Sequence, residues 1–307
     1  MEVLLQQCIN GLVLGSIYAI VALGYTLVYG ILRLINFAHG EVVMLGAMIG
    51  LSVMQKLINL QWSVLPIIFI SLLIAMIGCM TIGYLIERIA YRRLRHAPNL
   101  APLITAIGVS IVLQNIAMMI WGKEFVVFPP IIPINYYSIH EATINSLQIG
   151  IICLSIIMML GLRYLIQATR LGNAMRATAQ NTEVAALMGI NINHIISFTF
   201  ILGSALAAVA GLMVAAYYGL AHYDMGFILG LKAFTAAVLG GIGNLTGAML
   251  GGLLLGIIES IGAGYLGDLT GGILGSNYQD VFAFFVLITV LIFKPSGLLG
   301  QASGERP

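Results

Sequence analysis

The chain has 307 residues, 60% of them apolar and only 8% charged, with a formal net charge of +2 and a mean hydropathy of +1.05. A soluble globular domain carries roughly 25% charged residues, so a soluble enzyme, a secreted disulfide scaffold and a disordered chain are excluded. What remains is an all-α polytopic membrane protein, and the Lys and Arg scattered among its apolar runs leave no basic face for a nucleic-acid partner.

The apolar content suffices for roughly eight to ten crossings at about 20 residues each, and charge-poor stretches mark about eight segments. The first, 3–32, has no Lys or Arg before it and is too long for the core of a signal peptide, so it is expected to stay as a span. Gly11 and Gly15 in it have the four-residue spacing of a helix-packing face. Ile35-Asn36-Phe37-Ala38-His39-Gly40-Glu41 follows. An ionised group at membrane depth costs at least about 2.5–3.5 kcal/mol, so His39 and Glu41 require a partner or a wet cavity. Asn36 or His39 is placed to cap the next helix, with Glu41 in its first turn. The stretch reads either as a cytoplasmic turn or as a break facing a translocation path. The segment after it, 42–55, is too short for a full span and, with Arg33 to Glu41, predicts an interrupted helix.

Spans follow at 64–86 and 98–121, separated by a loop holding Arg88, Arg92, Arg93 and Arg95. Gln114 and Asn115 in the second are placed to line a path or to make interhelical hydrogen bonds. Segment 122–142 has no Arg, one Lys and the run Pro129, Pro130, Pro133, Tyr136, Tyr137, which predicts an outside loop with an aromatic edge. Span 143–162 returns to a second loop with Arg163, Arg170 and Arg176, and the arginine excess makes both Arg-rich loops cytoplasmic. Cys8, Cys79 and Cys153 each sit alone in an apolar run and read as small buried hydrophobes.

Within the second loop, Asn173 is placed to cap one short helix, and Thr182 another that opens with Glu183 and stops at Gly189. Ala185, Ala186, Leu187 and Met188 then form an apolar patch on a segment facing water, bordered by Arg176 and Glu183. Such a patch reads as a docking surface for a soluble partner or as a membrane-surface helix.

Span 195–216 carries the small-residue ladder Gly203, Ala207, Gly211. In 233–258 the apolar run is interrupted by Gly240, Gly241, Gly243 and Asn244, breakers that destroy a helix at its middle. Irregular backbone at membrane depth survives only where protein or a polar cavity satisfies it, so a broken or re-entrant element is expected there. Gly247, Gly251, Gly252 and Gly256 beyond it read as packing positions. A re-entrant element also restores the parity needed to leave the acidic stretch from Glu259 to Asp280 outside and the tail after Lys294 inside, with 281–293 as the last span.

No GxxxxGK[ST] loop is present, since Lys123 follows Gly122 but precedes Glu124. No nucleophile, base and orienter set and no metal-ligand spacing stand out, so no enzyme, cofactor or metal is expected. A secondary transporter or channel for a small polar solute, acting without an ATPase, would need a coupling-ion site. The sequence offers few intramembrane carboxylates for one beyond Glu41 and Glu259.

The chain resembles the membrane permeases of branched-chain amino acid ABC importers, of the LivH type. The resemblance rests on Ile35 to Glu41, on the block from Lys232 to Asn244, on Ala185-Ala186-Leu-Met-Gly189-Ile-Asn191 and on the tail Lys294-Pro-Ser-Gly-Leu-Leu-Gly300, in family order across nearly the whole chain. It implies a subunit of the bacterial inner membrane, one transmembrane permease domain over 1–307 with a cytoplasmic coupling loop over 163–194. Its partners would be a second related permease, two cytoplasmic ATP-binding subunits and an extracytoplasmic substrate-binding protein. Alternating access would then tilt helices around Asn36, His39, Gly40, Glu41, Gly240, Gly241, Gly243 and Asn244, driven through Arg176, Glu183, Ala185, Ala186 and Gly189. The usual coupling motif opens Glu-Ala-Ala, whereas Val184 follows Glu183 here. Related permeases move urea, neutral amino acids or amides.

Overall fold

The computed structural model describes residues 2–95, 97–98, 100–139, 142–271 and 278–300. Its helices are α1 (Glu2–Leu32), α2 (His39–Ile58), α3 (Val64–Ile86), a π-helical turn (Glu87–Tyr91), α4 (Arg92–Leu94), α5 (Leu100–Trp121), α6 (Ser146–Ala168), α7 (Arg170–Gln180), α8 (Thr182–Leu187), α9 (Ile192–Tyr218), α10 (Met225–Gly240), α11 (Leu245–Leu269) and α12 (Gln279–Phe293). Among the described residues seven helices are long and apolar enough to cross a membrane, and α10 and α12 are shorter apolar helices. The all-α polytopic class is therefore observed.

Three local expectations are corrected. The segment at 42–55 is not an interrupted helix: α2 runs unbroken for 20 residues from His39, and the interruption is confined to 33–38. The arginines Arg88, Arg92 and Arg93 sit not in a loop but on the continuation of α3, where the apolar helix extends from Val64 to Leu94. Glu259 likewise belongs to α11 rather than to an acidic outside stretch, and it is buried. Residues 272–277 of that stretch lie outside the described residues.

Contacts gather the chain into two compact units. One comprises 1–26, 134–157 and 232–307, the other 27–133 and 158–231. In the second, α2, α3 and α9 pack on one another through small residues. A Cβ on Gly46 would lie 2.5 Å from the Ala208 Cα, and one on Gly211 would lie 2.8 Å from the Ala47 nitrogen. Backbones this close leave room for glycine only, the close approach that small-residue ladders permit. In the first unit the ladder of α1 meets that of α11: a Cβ on Gly11 would lie 2.6 Å from the Ile257 Cα, and one on Gly15 would lie 2.7 Å from the Leu253 Cα.

The segment after α5 is less loop-like than expected. β2 (Tyr136–Ile139) pairs antiparallel with β3 (Ala142–Asn145) in the first unit, and β1 (Val126–Val127) pairs with β4 (Leu220–Ala221) in the second. Beside β4 the His222 ring contacts Asp224 through Nδ1 and lies 2.9 Å from the Lys123 carbonyl through Nε2, with Phe125 stacked 4.5 Å away. Both ring nitrogens face acceptors, a need that only the imidazolium satisfies with two donors. Burial opposes the charged form, but Asp224, the Lys123 carbonyl and nearby Glu124 outweigh it and raise the His222 pKa. A pKa raised by folding adds stability that is complete below the ordinary value of 6.5 and is lost as pH climbs through the folded value. The Phe128 amide, which donates to the Gly219 carbonyl at 2.9 Å, is therefore expected to be more protected from hydrogen exchange at about pH 5.5 than at about pH 8.5, after correction for intrinsic rates. In His222→Phe the difference should vanish.

Candidate functional site

α1 ends where Arg33 adopts a left-handed backbone, φ 54°, with its N–H on the Tyr29 carbonyl at 2.7 Å. The chain then turns over 34–38. Neither residue expected to cap α2 does so: Ala38 occupies the cap position with no side-chain bond. Asn36 instead closes a local turn, its Oδ1 accepting the Ala38 N–H at 3.2 Å and the Tyr91 hydroxyl at 3.1 Å. Asn36, His39, Gly40 and Glu41 are all buried.

Glu41 is fully buried, in the first turn of α2 where a helix favours negative charge. Its Oε1 accepts from Ser110 Oγ at 2.9 Å and from Gln114 Nε2 at 2.8 Å, both on α5. At about 1.5 Å per residue, those two side chains sit roughly 15–21 Å along a helix roughly 33 Å long, which is mid-membrane depth. The oxygen Oε2 lies against Gly226 at the start of α10, where a Cβ would approach it to 2.5 Å. Gly40 meets the same helix start, since its Cβ would lie 2.8 Å from the Gly230 Cα. Glycines at 40, 226 and 230 thus allow two helix starts to meet at a carboxylate.

The second break lies in the other unit. α10 stops at Gly240; Gly241 and Gly243 take φ of 106° and 91°, values that exclude ordinary side chains. Asn244 then opens α11, its Oδ1 accepting the Gly247 N–H at 3.1 Å while its Nδ2 donates to the Leu299 carbonyl at 2.8 Å. The tail returns to the same place: Leu298 and Leu299 donate to the carbonyls of Leu239 and Gly240 at 2.8 and 3.0 Å. The break is thereby satisfied by protein, as irregular backbone in a membrane requires. The expected broken element is observed.

The third constellation, over 169–191, forms two short helices with caps four residues and one residue before those expected. Thr169 rather than Asn173 caps α7, accepting the Gly172 N–H at 3.1 Å. Asn181 rather than Thr182 caps α8, accepting the Val184 N–H at 3.0 Å. Asn173 instead accepts from Arg176 Nη2 at 2.5 Å. Gly189 ends α8 as anticipated: at φ 84° its N–H reaches the Ala186 carbonyl at 3.0 Å, and the Ile190 N–H reaches the Ala185 carbonyl at 3.1 Å, a Schellman closure. Ala185 is buried, which departs from the expected patch, whereas Leu187 and Met188 are 87% and 78% exposed and Val184 is exposed beside them. Glu183, Ala186 and Gly189 are exposed.

Residues outside the sequence reading also matter. Glu87, fully buried, receives Arg92 Nη2 at 2.9 Å, Arg95 and Ser197 Oγ at 2.8 Å. A Glu–Arg spacing of five aligns on a π-turn rather than on an α-helix, so a search at helical spacing passes over it. Lys232 meets Glu259 and Asp280, each at 2.7 Å; a separation of 27 positions between Lys232 and Glu259 hides that pair from any local pattern.

Residues 7–291 match the family described as the permease component of branched-chain amino acid transport systems. The chain is 45% identical over 307 residues to BraD, a high-affinity branched-chain amino acid transport system permease protein of Pseudomonas aeruginosa, an alignment covering 98% of this chain and 97% of BraD. To LivH of Escherichia coli K12, described in the same terms, it is 41% identical over 310 residues, covering 98% and 97%. A probable LivH of Methanocaldococcus jannaschii is 27% identical over 297 residues, covering 95% and 91%. With full-length similarity of this order joined to seven membrane-length helices, the chain belongs to the branched-chain amino acid transport permease family and is a multi-pass protein of the inner membrane.

Proposed function

We propose that the chain is the membrane-spanning subunit of an ATP-driven importer of branched-chain or related neutral amino acids. The whole of 1–307 acts as one permease domain and 163–194 as its coupling segment. The observation that carries this reading is the full-length similarity to BraD and LivH, both high-affinity branched-chain amino acid permeases. Its partners are a second related permease, two cytoplasmic ATP-binding subunits and an extracytoplasmic binding protein. The chain itself carries out no covalent chemistry. The translocation path includes Asn36, His39, Gly40 and Glu41 at one helix break and Gly240, Gly241, Gly243 and Asn244 at the other. Arg176, Glu183, Ala185, Ala186 and Gly189 shape the segment that meets the ATPase. The exposed Leu187 and Met188 support this role, because apolar side chains on a water-facing helix favour a covered surface.

An ion-coupled transporter working alone is disfavoured by the state of the buried carboxylates. Two of the three buried glutamates among the described residues, Glu87 and Glu259, are each paired with Arg or Lys and so are not free to take up a coupling ion, which leaves Glu41, held by the neutral donors Ser110 and Gln114, to act alone. Proteoliposomes holding only this chain are expected to accumulate no radiolabelled leucine under any proton or sodium gradient and to hydrolyse no ATP. Adding the second permease, the ATP-binding subunits and the binding protein should confer ATP-dependent uptake. Leucine accumulation by the chain alone would overturn the reading.

A further inference from the structure

We infer that Tyr91, together with the Glu87 cluster, is the positioning device through which the 182–191 segment acts on the helix break at 33–38. The inference rests on the coupling role proposed above and names the residues that transmit it. All of them lie in one compact unit.

The path starts at α8. The Gly189 closure leads within two residues to Asn191, which caps α9 by accepting the His194 N–H at 3.2 Å. No slack separates the two helices, so a displaced α8 carries the first turn of α9 with it. That turn is fastened to the π-turn by side chains. Asn193 Oδ1 accepts from Arg95 Nη1 at 2.6 Å, and Ser197 Oγ donates to Glu87 Oε2 at 2.8 Å while accepting from Arg92 Nη2 at 2.8 Å. Glu87 in turn takes Arg92 and Arg95 on its two oxygens. A fully buried carboxylate held by three groups favours one arrangement, because loosening any one leaves the buried charge less fully compensated.

Four residues on, Tyr91 is 1% exposed and packs on Phe200 of α9 with ring centroids 5.3 Å apart. Its hydroxyl reaches Asn36 Oδ1 at 3.1 Å, the same oxygen that takes the Ala38 N–H and sets the turn before α2. His39 also donates its N–H to the Asn36 carbonyl, at 3.0 Å. Asn36 therefore fixes where α2 starts, and α2 carries Glu41 five residues later. A π-turn between the two ends suits this task, since its wider ring rearranges more readily than an α-helix and such turns gather at functional sites.

Tyr91→Phe removes the hydroxyl and keeps the ring on Phe200; Ser197→Ala loosens the α9 side without removing a charge. In the reconstituted complex with binding protein and leucine, each variant is expected to transport about two- to thirtyfold less leucine per ATP hydrolysed, the fold-change that corresponds to the roughly 0.5–2 kcal/mol by which changes along coupling networks act. Co-purification of the ATP-binding subunits and the basal ATPase rate, measured well below the unfolding temperature, should remain those of the unaltered complex, whereas a purely structural role would lower them together with the modest loss of thermal stability that removing a buried hydrogen bond brings. Because both variants cut one path, the double variant should be no more uncoupled than the stronger single one. A native leucine-to-ATP ratio in both variants, or losses that multiply in the double, overturns the inference while leaving the importer reading in place. Failure of the unaltered chain to assemble with the ATP-binding subunits overturns both.

Discussion

Lys232→Met is expected to destabilise the detergent-solubilised chain by about 3–5 kcal/mol, the loss that follows removal of one partner from a buried ion pair. Lys232 is 7% exposed and Glu259 fully buried. Lys232 Nζ lies 2.7 Å from Glu259 Oε1 and 2.7 Å from Asp280 Oδ1, with the Tyr18 hydroxyl donating to the same Glu259 oxygen at 3.2 Å. Four elements, α1, α10, α11 and α12, thus meet at one ammonium. Taking it away strands the buried Glu259 carboxylate near Asp280 and leaves the Tyr18 hydroxyl as its remaining donor among the described residues. Methionine fills the same volume, so the effect reports charge rather than packing.

The double variant Lys232→Met with Glu259→Gln separates the pair's net worth from the cost of breaking it. A buried pair replaced as a unit is often close to neutral, so the double is expected to recover more than half of the loss. Asp280, whose side chain is 37% exposed, is reached by solvent and should contribute much less: Asp280→Asn is expected to cost about 1 kcal/mol or less. Thermal unfolding followed by fluorescence-detected size exclusion orders the three variants. Equal losses in the single and double variants would mean that Lys232 acts through packing alone.

Long-range pairing of this kind also marks the limit of what the sequence discloses. Hydropathy located five of the seven membrane-length helices directly, at 3–32, 64–86, 98–121, 143–162 and 195–216, because about 20 apolar residues have no other stable setting; it read α2 as too short and placed α11 in one run with α10. The break at 240–244 was equally legible, since Gly241 and Gly243 need backbone angles that only glycine adopts freely. What misled was charge inside apolar sequence. His39 and Glu41 read as the interior of an interruption, yet they begin a buried helix because Ser110 and Gln114 wait on α5, about seventy residues on. Glu259 read as loop because its cation is Lys232, on a different helix. The caps at Thr169 and Asn181 were missed by a few residues or by one, because Ser, Thr, Asn and Asp compete closely for a cap and side-chain geometry decides. At the candidate site, the residues on the two breaks were legible; of their partners, Gln114 is placed for an interhelical hydrogen bond and makes one to Glu41, while Ser110 and Tyr91 were not legible.

The exposed end of α8 carries the other large expectation. Leu187 and Met188 point away from the chain on a helix of only six residues, too short to be stable by propensity alone. Its form is held by the Asn181 cap, by the Schellman closure at Gly189 and by Ala185 turned inward. Leu187→Glu adds charge to the centre of this patch without touching a span. If an ATP-binding subunit covers the patch, burial of an uncompensated carboxylate is expected to cost about 2–4 kcal/mol, roughly 30- to 1,000-fold in subunit affinity. Gly189→Val attacks the same element differently: it leaves the apolar side chains but forces a β-branched residue to φ 84°, at about 1–3 kcal/mol of strain. The first variant should lose the ATP-binding subunits on co-purification with its own thermal stability unchanged. The second should retain them more weakly and lose leucine-stimulated ATPase activity, because the closure that hands α8's movement to α9 no longer forms. Full assembly and full stimulation in both variants would make this segment a surface connector and move the coupling contact elsewhere on the cytoplasmic face.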